Sequence, residues 1–182
     1  MEILKNIIFV IFSPKMGWEE VKRSCIPTGR LFVSTFLPLL IVLALTAFVP
    51  LAFDKTATVA GKLMDAIITF ASFLVTFYLT SYLLSSLYPE IANSQSAIDR
   101  LNDFIIYNLI YLIVLQIIKN LTPVDAAPIF FLMFYMPYIV YKGVDFLGVR
   151  NNKQLRFTLL ASLMMLLLPV AFIWVFNLFA IN

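Results

Sequence analysis

Long stretches without a single charge constrain this chain more than any motif it carries. Charged residues are so sparse that five uncharged runs of at least 15 residues remain, covering 31–53, 66–89, 104–118, 126–141 and 157–182. An α-helix rises about 1.5 Å per residue and a bilayer's hydrocarbon core is roughly 30 Å thick, so about 20 residues are needed to cross it. The first, second and fifth runs, of 23, 24 and 26 residues, reach that length outright. The third reaches it by continuing through Lys119 to Leu121, where the lysine stem can snorkel toward the headgroups. The fourth needs an extension to Val149 that takes in Lys142 and Asp145, three apart on one helical face and therefore placed to neutralise each other. With 62% hydrophobic and 13% charged residues among 182, the chain lacks the charged skin of a soluble domain. The expected fold class is all-α: a polytopic membrane helix bundle of five transmembrane helices, with spans at about 31–53, 63–88, 104–121, 128–149 and 157–181. An interfacial amphipathic helical segment over 1–30 precedes it.

Runs three and four are joined by a short turn, 121–128, that contains Pro123 and Pro128. Two separate spans are favoured over one re-entrant hairpin, because both runs are rich in β-branched and aromatic residues and no glycine-rich tip marks a re-entrant loop. Ten basic residues then fall on one side: Lys5, Lys15, Lys22, Arg23, Arg30, Arg100, Lys142, Arg150, Lys153 and Arg156. Lys55, Lys62 and Lys119 fall on the other. The positive-inside rule places the N-terminus in the cytoplasm and the C-terminus outside.

Near the N-terminus, Ile3, Leu4, Ile7, Ile8, Ile11 and Phe12 recur at helical spacing with Glu2, Lys5 and Asn6 opposite, which predicts a helix lying in the membrane interface. It is too short to span, and without a small-residue cleavage site it is not expected to be removed. Ser13 and Pro14 read as an N-cap and first helical position, opening a second helix that runs to about Ser24. On it Trp18, Val21 and Cys25 share a face, Glu19, Glu20, Lys22 and Arg23 are spaced to pair, and the Trp18 ring is expected at headgroup depth. Pro14 and Trp18 are thus the expected interfacial anchors.

Polar residues inside the spans are the candidates for function. Ser72, Thr76 and Thr80 recur every four residues in span two, a pattern that reads as a close-packing seam between helices, with a hydrophilic pathway as the competing reading. All eight tyrosines lie in spans two to four. Tyr88 and Tyr141 suit an interfacial belt, whereas deeper hydroxyls need partners such as Asn108 or Gln116. Tyr107, Tyr111, Tyr138, Asn108, Gln116, Lys142 and Asp145 therefore define either a buried polar seam or a cavity for a headgroup or small solute. For Lys142 and Asp145 snorkelling and mutual pairing compete with a functional role. Arg150, Lys153 and Arg156 form a basic loop suited to an anionic leaflet.

Several chemistries lack their residues. There is no histidine, so neither a Ser-His dyad nor a histidine metal site can form, and no glycine-rich phosphate loop occurs. Cys25 is the sole cysteine and has no internal disulfide partner. Asp145 has no second carboxylate at its depth. The expected protein is not an enzyme, carries no cofactor or metal and binds no nucleic acid.

The order of these features resembles a known family. A short apolar opening, then Ser13-Pro14-Lys15 and Trp18-Glu19-Glu20-Val21, five spans, and a stretch from Tyr138 through Tyr141-Lys142-Gly143-Val144 to Leu147 are similar to the prokaryotic branch of the Yip family, the Ypt-interacting proteins. The resemblance covers essentially the whole chain. It implies a multispanning protein without known catalysis, in a bacterial cytoplasmic membrane, whose eukaryotic relatives act in vesicle trafficking and bind prenylated Rab-type GTPases. Two departures are visible: the hydrophilic N-terminal region is only about thirty residues, and Thr28-Gly29-Arg30-Leu31 stands where eukaryotic members carry an acidic-aromatic-glycine-proline motif. GTPase binding is accordingly assigned to no residue. The expected function is binding or organising of protein or lipid partners at the cytoplasmic membrane; the alternative is a small transporter or channel subunit using the polar seam. Expected partners are membrane lipids, a membrane or cytoplasmic protein, and a second copy of the chain.

Overall fold

The computed structural model describes residues 2–53, 56–122 and 131–180. Among these the chain is helical apart from short connections, with no strand, and four helical stretches are long and apolar enough to cross a membrane: Thr28–Ala52, Val59–Leu87, Gln95–Leu121 and Asn151–Leu178. They correspond to uncharged runs one, two, three and five. Two N-terminal helices precede them, α1 (Glu2–Phe12) and α2 (Pro14–Ser24).

The first long stretch is composite: α3 (Thr28–Leu31), a π-helical turn (Phe32–Phe36), α4 (Leu37–Thr46) and a 3-10 turn (Val49–Ala52). The wide turn lies just before Pro38, whose ring has no N–H to donate and would collide with the carbonyl four residues back in a regular helix. α5 (Val59–Leu87) opens where the Thr58 hydroxyl accepts from the Gly61 N–H at 3.2 Å. α6 (Gln95–Leu121) opens in the same way on Ser94, which accepts from the Ala97 N–H at 3.3 Å. α6 starts well before residue 104, so it lifts Asp99, Arg100 and Asp103 onto the helix ahead of its uncharged part. α8 (Gln154–Ala180) contains Pro169, which removes one backbone hydrogen bond from its middle.

Hydrogen bonds at the helix ends fix the directions. Ser81 on α5 donates to Asn102 on α6 at 2.6 Å, so these two form an antiparallel hairpin. Thr28 donates to the Asp99 carbonyl at 3.2 Å, and Asn120 donates to Thr46 at 3.1 Å, so the first stretch and α6 run parallel with matched ends. α6 is the hub: 67% of its most apolar window is buried, against 22% for the last long helix, and Leu101, Phe104, Ile105, Ile106, Leu109 and Ile110 are sealed in the core.

The fourth expected span is described only in part. Residues 131–133 are helical, a turn follows at 134–135, and α7 (Met136–Leu147) has 12 residues, about 18 Å of helix against a core of roughly 30 Å. Residues 128–130 of the expected span and most of the 121–128 turn lie outside the described residues. Within them α7 alone does not reach across, and the supposed charge pair does not form: Lys142 and Asp145 make no ion pair with each other. The Lys142 ammonium instead stands 5.4 Å and 5.6 Å from the Tyr141 and Tyr138 ring centres, and Asp145, exposed, accepts from the Gln154 amide at 3.1 Å. A cation held over two ring faces keeps its contact with water, which a direct pair three residues away would not improve.

Candidate functional site

One end of the bundle gathers the basic residues, and Trp18 is its pivot. Pro14 takes the first position of α2, after Ser13, whose hydroxyl forms no capping bond. One turn on, the Trp18 ring is 3% exposed, packs against Phe104 at 5.2 Å, Phe146 at 5.4 Å and edge-on to Tyr107 at 6.0 Å, and its indole N–H donates to the Ile139 carbonyl at 3.1 Å. The expected headgroup contact is therefore corrected: protein encloses the ring. Gly143 makes the seat, since a β-carbon there would lie 2.6 Å from ring carbons of both Trp18 and Phe104. Gly17 does the same between α1 and α2, where a β-carbon would come within 2.4 Å of the Val10 backbone nitrogen. The Trp18 segment and the stretch from Tyr138 to Leu147 thus meet in one contact.

The faces of α1 are also redistributed. Asn6, expected to point outward, is buried and donates to the Ser24 hydroxyl at 2.9 Å, which passes a bond to the Val21 carbonyl at 3.0 Å. Ile7 and Val10 join the core, while Leu4, Ile8 and Phe12 form an exposed apolar stripe that Met16 extends. Glu20 binds Lys5 of α1 at 2.7 Å in addition to Arg23 at 3.5 Å, and the Lys5 contact holds its carboxyl below the usual carboxylate range. Cys25 does not continue the face of Trp18 and Val21. It is exposed and ends α2 in a left-handed conformation, φ 45°. In the basic loop Lys153 is committed to Glu90 at 2.6 Å and draws that carboxyl down as well, leaving Arg150 and Arg156 exposed.

The polar seam residues are not brought together. Tyr107 sits beside Trp18, while Tyr111 donates to the Leu132 carbonyl at 2.6 Å. Tyr138, along with Tyr78 and Tyr82, is exposed. Asn108 is fully buried in α6, where its amide donates to the Phe104 carbonyl at 2.8 Å and its carbonyl oxygen has no partner. The Thr76, Thr80 and Ser162 hydroxyl oxygens are buried and unpartnered too, whereas Ser72 bonds back to the Ile68 carbonyl at 2.6 Å.

Gln116 belongs elsewhere, to a cleft of about 530 Å³ at the opposite end of the bundle, between the first stretch, α5, α6 and α8. Lys62, Asp65, Lys119, Asn120 and Asn177 share its lining, Lys62 and Asp65 being joined at 2.9 Å. Val170 and Ile173, just beyond Pro169, complete one wall. Sequence reasoning missed this cleft because its polar residues come from three separate segments. It missed Asp103 as well, although that residue is the last charge before an uncharged run.

Among the described residues no group of three or more His, Cys, Asp or Glu side chains could hold a metal ion. The arrangement defines a multi-pass helical membrane protein with two polar regions at opposite ends. No family model matches the chain, and no curated protein or solved structure matches it either.

Proposed function

We propose that the protein is a non-catalytic, five-span member of a bacterial cytoplasmic membrane, similar to prokaryotic Yip proteins, that retains lipid or protein partners at its basic end. The N-terminus and that end face the cytoplasm, and the C-terminus lies outside. The observation that carries this reading is the α1 stripe. Leu4, Ile8 and Phe12 remain exposed although α1 packs firmly on the bundle, and Lys15, Lys22 and Arg23 follow on α2. A fixed apolar edge flanked by cations is the chemistry that engages an anionic leaflet.

The test is native mass spectrometry of protein extracted from membranes containing anionic lipid. Arg150→Glu with Arg156→Glu should lower lipid or partner retention without reducing the amount inserted; unchanged retention removes the loop from this function. Thr122→Cys should be labelled from outside, as five spans require, whereas a turn buried within the membrane would stay unlabelled and support the re-entrant hairpin.

The four unpartnered oxygens of Thr76, Thr80, Asn108 and Ser162 favour a second reading, a transporter or channel subunit with a buried polar centre. Asn108→Leu should then abolish a flux in reconstituted vesicles, and absence of flux for ions and common small solutes ends that reading.

A further inference from the structure

At the basic end a small hollow of about 150 Å³ lies between α2, α3, α6 and α7, and a wider one of about 480 Å³ adjoins it; Cys25, Ile26, Arg100 and Asp103 line both. Their charges are arranged unusually. The Oδ1 atom of Asp103 is buried without a hydrogen-bond partner, and Asp103 forms no ion pair among the described residues. Two cations of opposite sign to it line the same small hollow, Lys22 and Arg100, yet neither meets a carboxylate. Among the described residues the guanidinium of Arg100 reaches the Ser96 carbonyl, at 3.4 Å. Lys5 with Glu20 and Lys153 with Glu90 are paired at this end. Asp103, Lys22 and Arg100 instead stand apart around the small hollow, and Asp99, which accepts from the Gln95 amide at 3.1 Å, lines the wider one.

A buried carboxyl oxygen without a donor is costly, and an N–H donor from a ligand removes that cost. Guanidinium and ammonium groups nearby call for an acceptor such as phosphate. A single molecule offering both, an amine and a phosphate a few bonds apart, fits both demands. The level in the membrane agrees with this, because Asp103 is the last charged residue before the uncharged run 104–118 and so marks the edge of the hydrocarbon. Of the remaining walls, Val21, Leu31 and Phe146 are apolar and suit the first methylenes of an acyl chain, and Tyr107 completes the lining.

We propose that this hollow binds the headgroup of a phospholipid bearing a primary amine, the ammonium on Asp103 and the phosphate between Lys22 and Arg100. The inference rests on the reading that the basic end meets lipid headgroups. A choline headgroup has no N–H to give the Asp103 oxygen, and a glycerol headgroup has no cation.

The experiment uses the full chain in nanodiscs of phosphatidylcholine doped equally with phosphatidylethanolamine and phosphatidylglycerol, with bound lipid read by native mass spectrometry. The ethanolamine lipid should be enriched on the order of tenfold over the other two, the ratio that one charge-assisted hydrogen bond supplies. Asp103→Asn should return it to the bulk ratio, whereas Lys22→Gln, whose exposed side chain keeps the fold out of the comparison, should lower retention of all three lipids alike, because each carries the phosphate. Equal retention of all three lipids by the wild-type chain overturns the proposal, as does enrichment of the ethanolamine lipid that survives Asp103→Asn. Soluble phosphoethanolamine added to nanodiscs of phosphatidylcholine alone separates the sources. Binding as tight as the lipid's would overturn the assignment to a lipid, and much weaker binding supports it. A wild-type chain that retains anionic lipid through Arg150 and Arg156 but shows no amine preference leaves the proposed function standing and removes only this site.

Discussion

The two ends of the bundle use polar side chains in different proportions. At the basic end they mostly tie together segments far apart in sequence: Trp18 to Ile139, Thr28 to Asp99, Lys153 to Glu90. At the other end Asn120 makes one such tie, to Thr46, while Lys62 and Asp65 pair within one helix and Gln116 and Asn177 line an open cleft. The difference teaches where rigidity and room are found: contacts between distant segments close the structure, and contacts within one helix leave space beside it.

The strongest way to break this comparison is to remove the pivot. Trp18→Ala deletes a buried ring and should cost about 3–5 kcal/mol, the range for large aromatic truncations, seen as a lower unfolding temperature in detergent. Gly143→Ala should be destabilising from the opposite side by crowding the same ring, and a Trp18→Phe background should relieve part of that loss. If both variants melt like the wild type, the basic end is not closed by this contact.

Next in size is Asn6→Ala, which leaves the Ser24 hydroxyl without its donor and should cost about 1–2 kcal/mol. At the cleft, Lys62→Met should change stability by no more than about 0–1 kcal/mol, because its pair is partly exposed and local to one helix. A loss as large as that of Asn6→Ala would mean that the cleft end is closed as well.

The smallest effect is acid loosening of the basic end. Glu20 and Glu90 have carboxyl pKa values lowered from 4.5 by Lys5 and Lys153, so their contribution is complete above about 4.5 and is lost as pH falls through the lower folded values. A double Glu20→Gln, Glu90→Gln variant should show a flatter stability profile below pH 4.5 and a slightly lower stability above it, measured by urea unfolding across pH.

Much of the bundle was legible, because charge sparseness is a local property that reads directly as span length. Four of the five uncharged runs coincide with long helices. The fourth run was harder: α7 is short, and neither composition nor spacing distinguishes a helix that crosses from one that packs partway. α6 shows the same limit from within. Its neighbours are apolar on every side, and since lipid tails are as apolar as leucine, no periodicity marks which face meets protein. The tyrosines expected in one seam separate for that reason, Tyr107 inward and Tyr138 outward.

By itself the sequence determined an all-helical chain with helices long enough for a membrane, its basic asymmetry and the two short N-terminal helices, because each follows from residues close together in the chain. Only the tertiary structure decided where Trp18 and Asn6 point, that Lys142 and Asp145 stay apart, and that Lys22, Arg100 and Asp103 border one hollow. Those outcomes depend on which segments meet, and a partner more than a hundred residues away, as Ile139 is from Trp18, leaves no trace in local pattern.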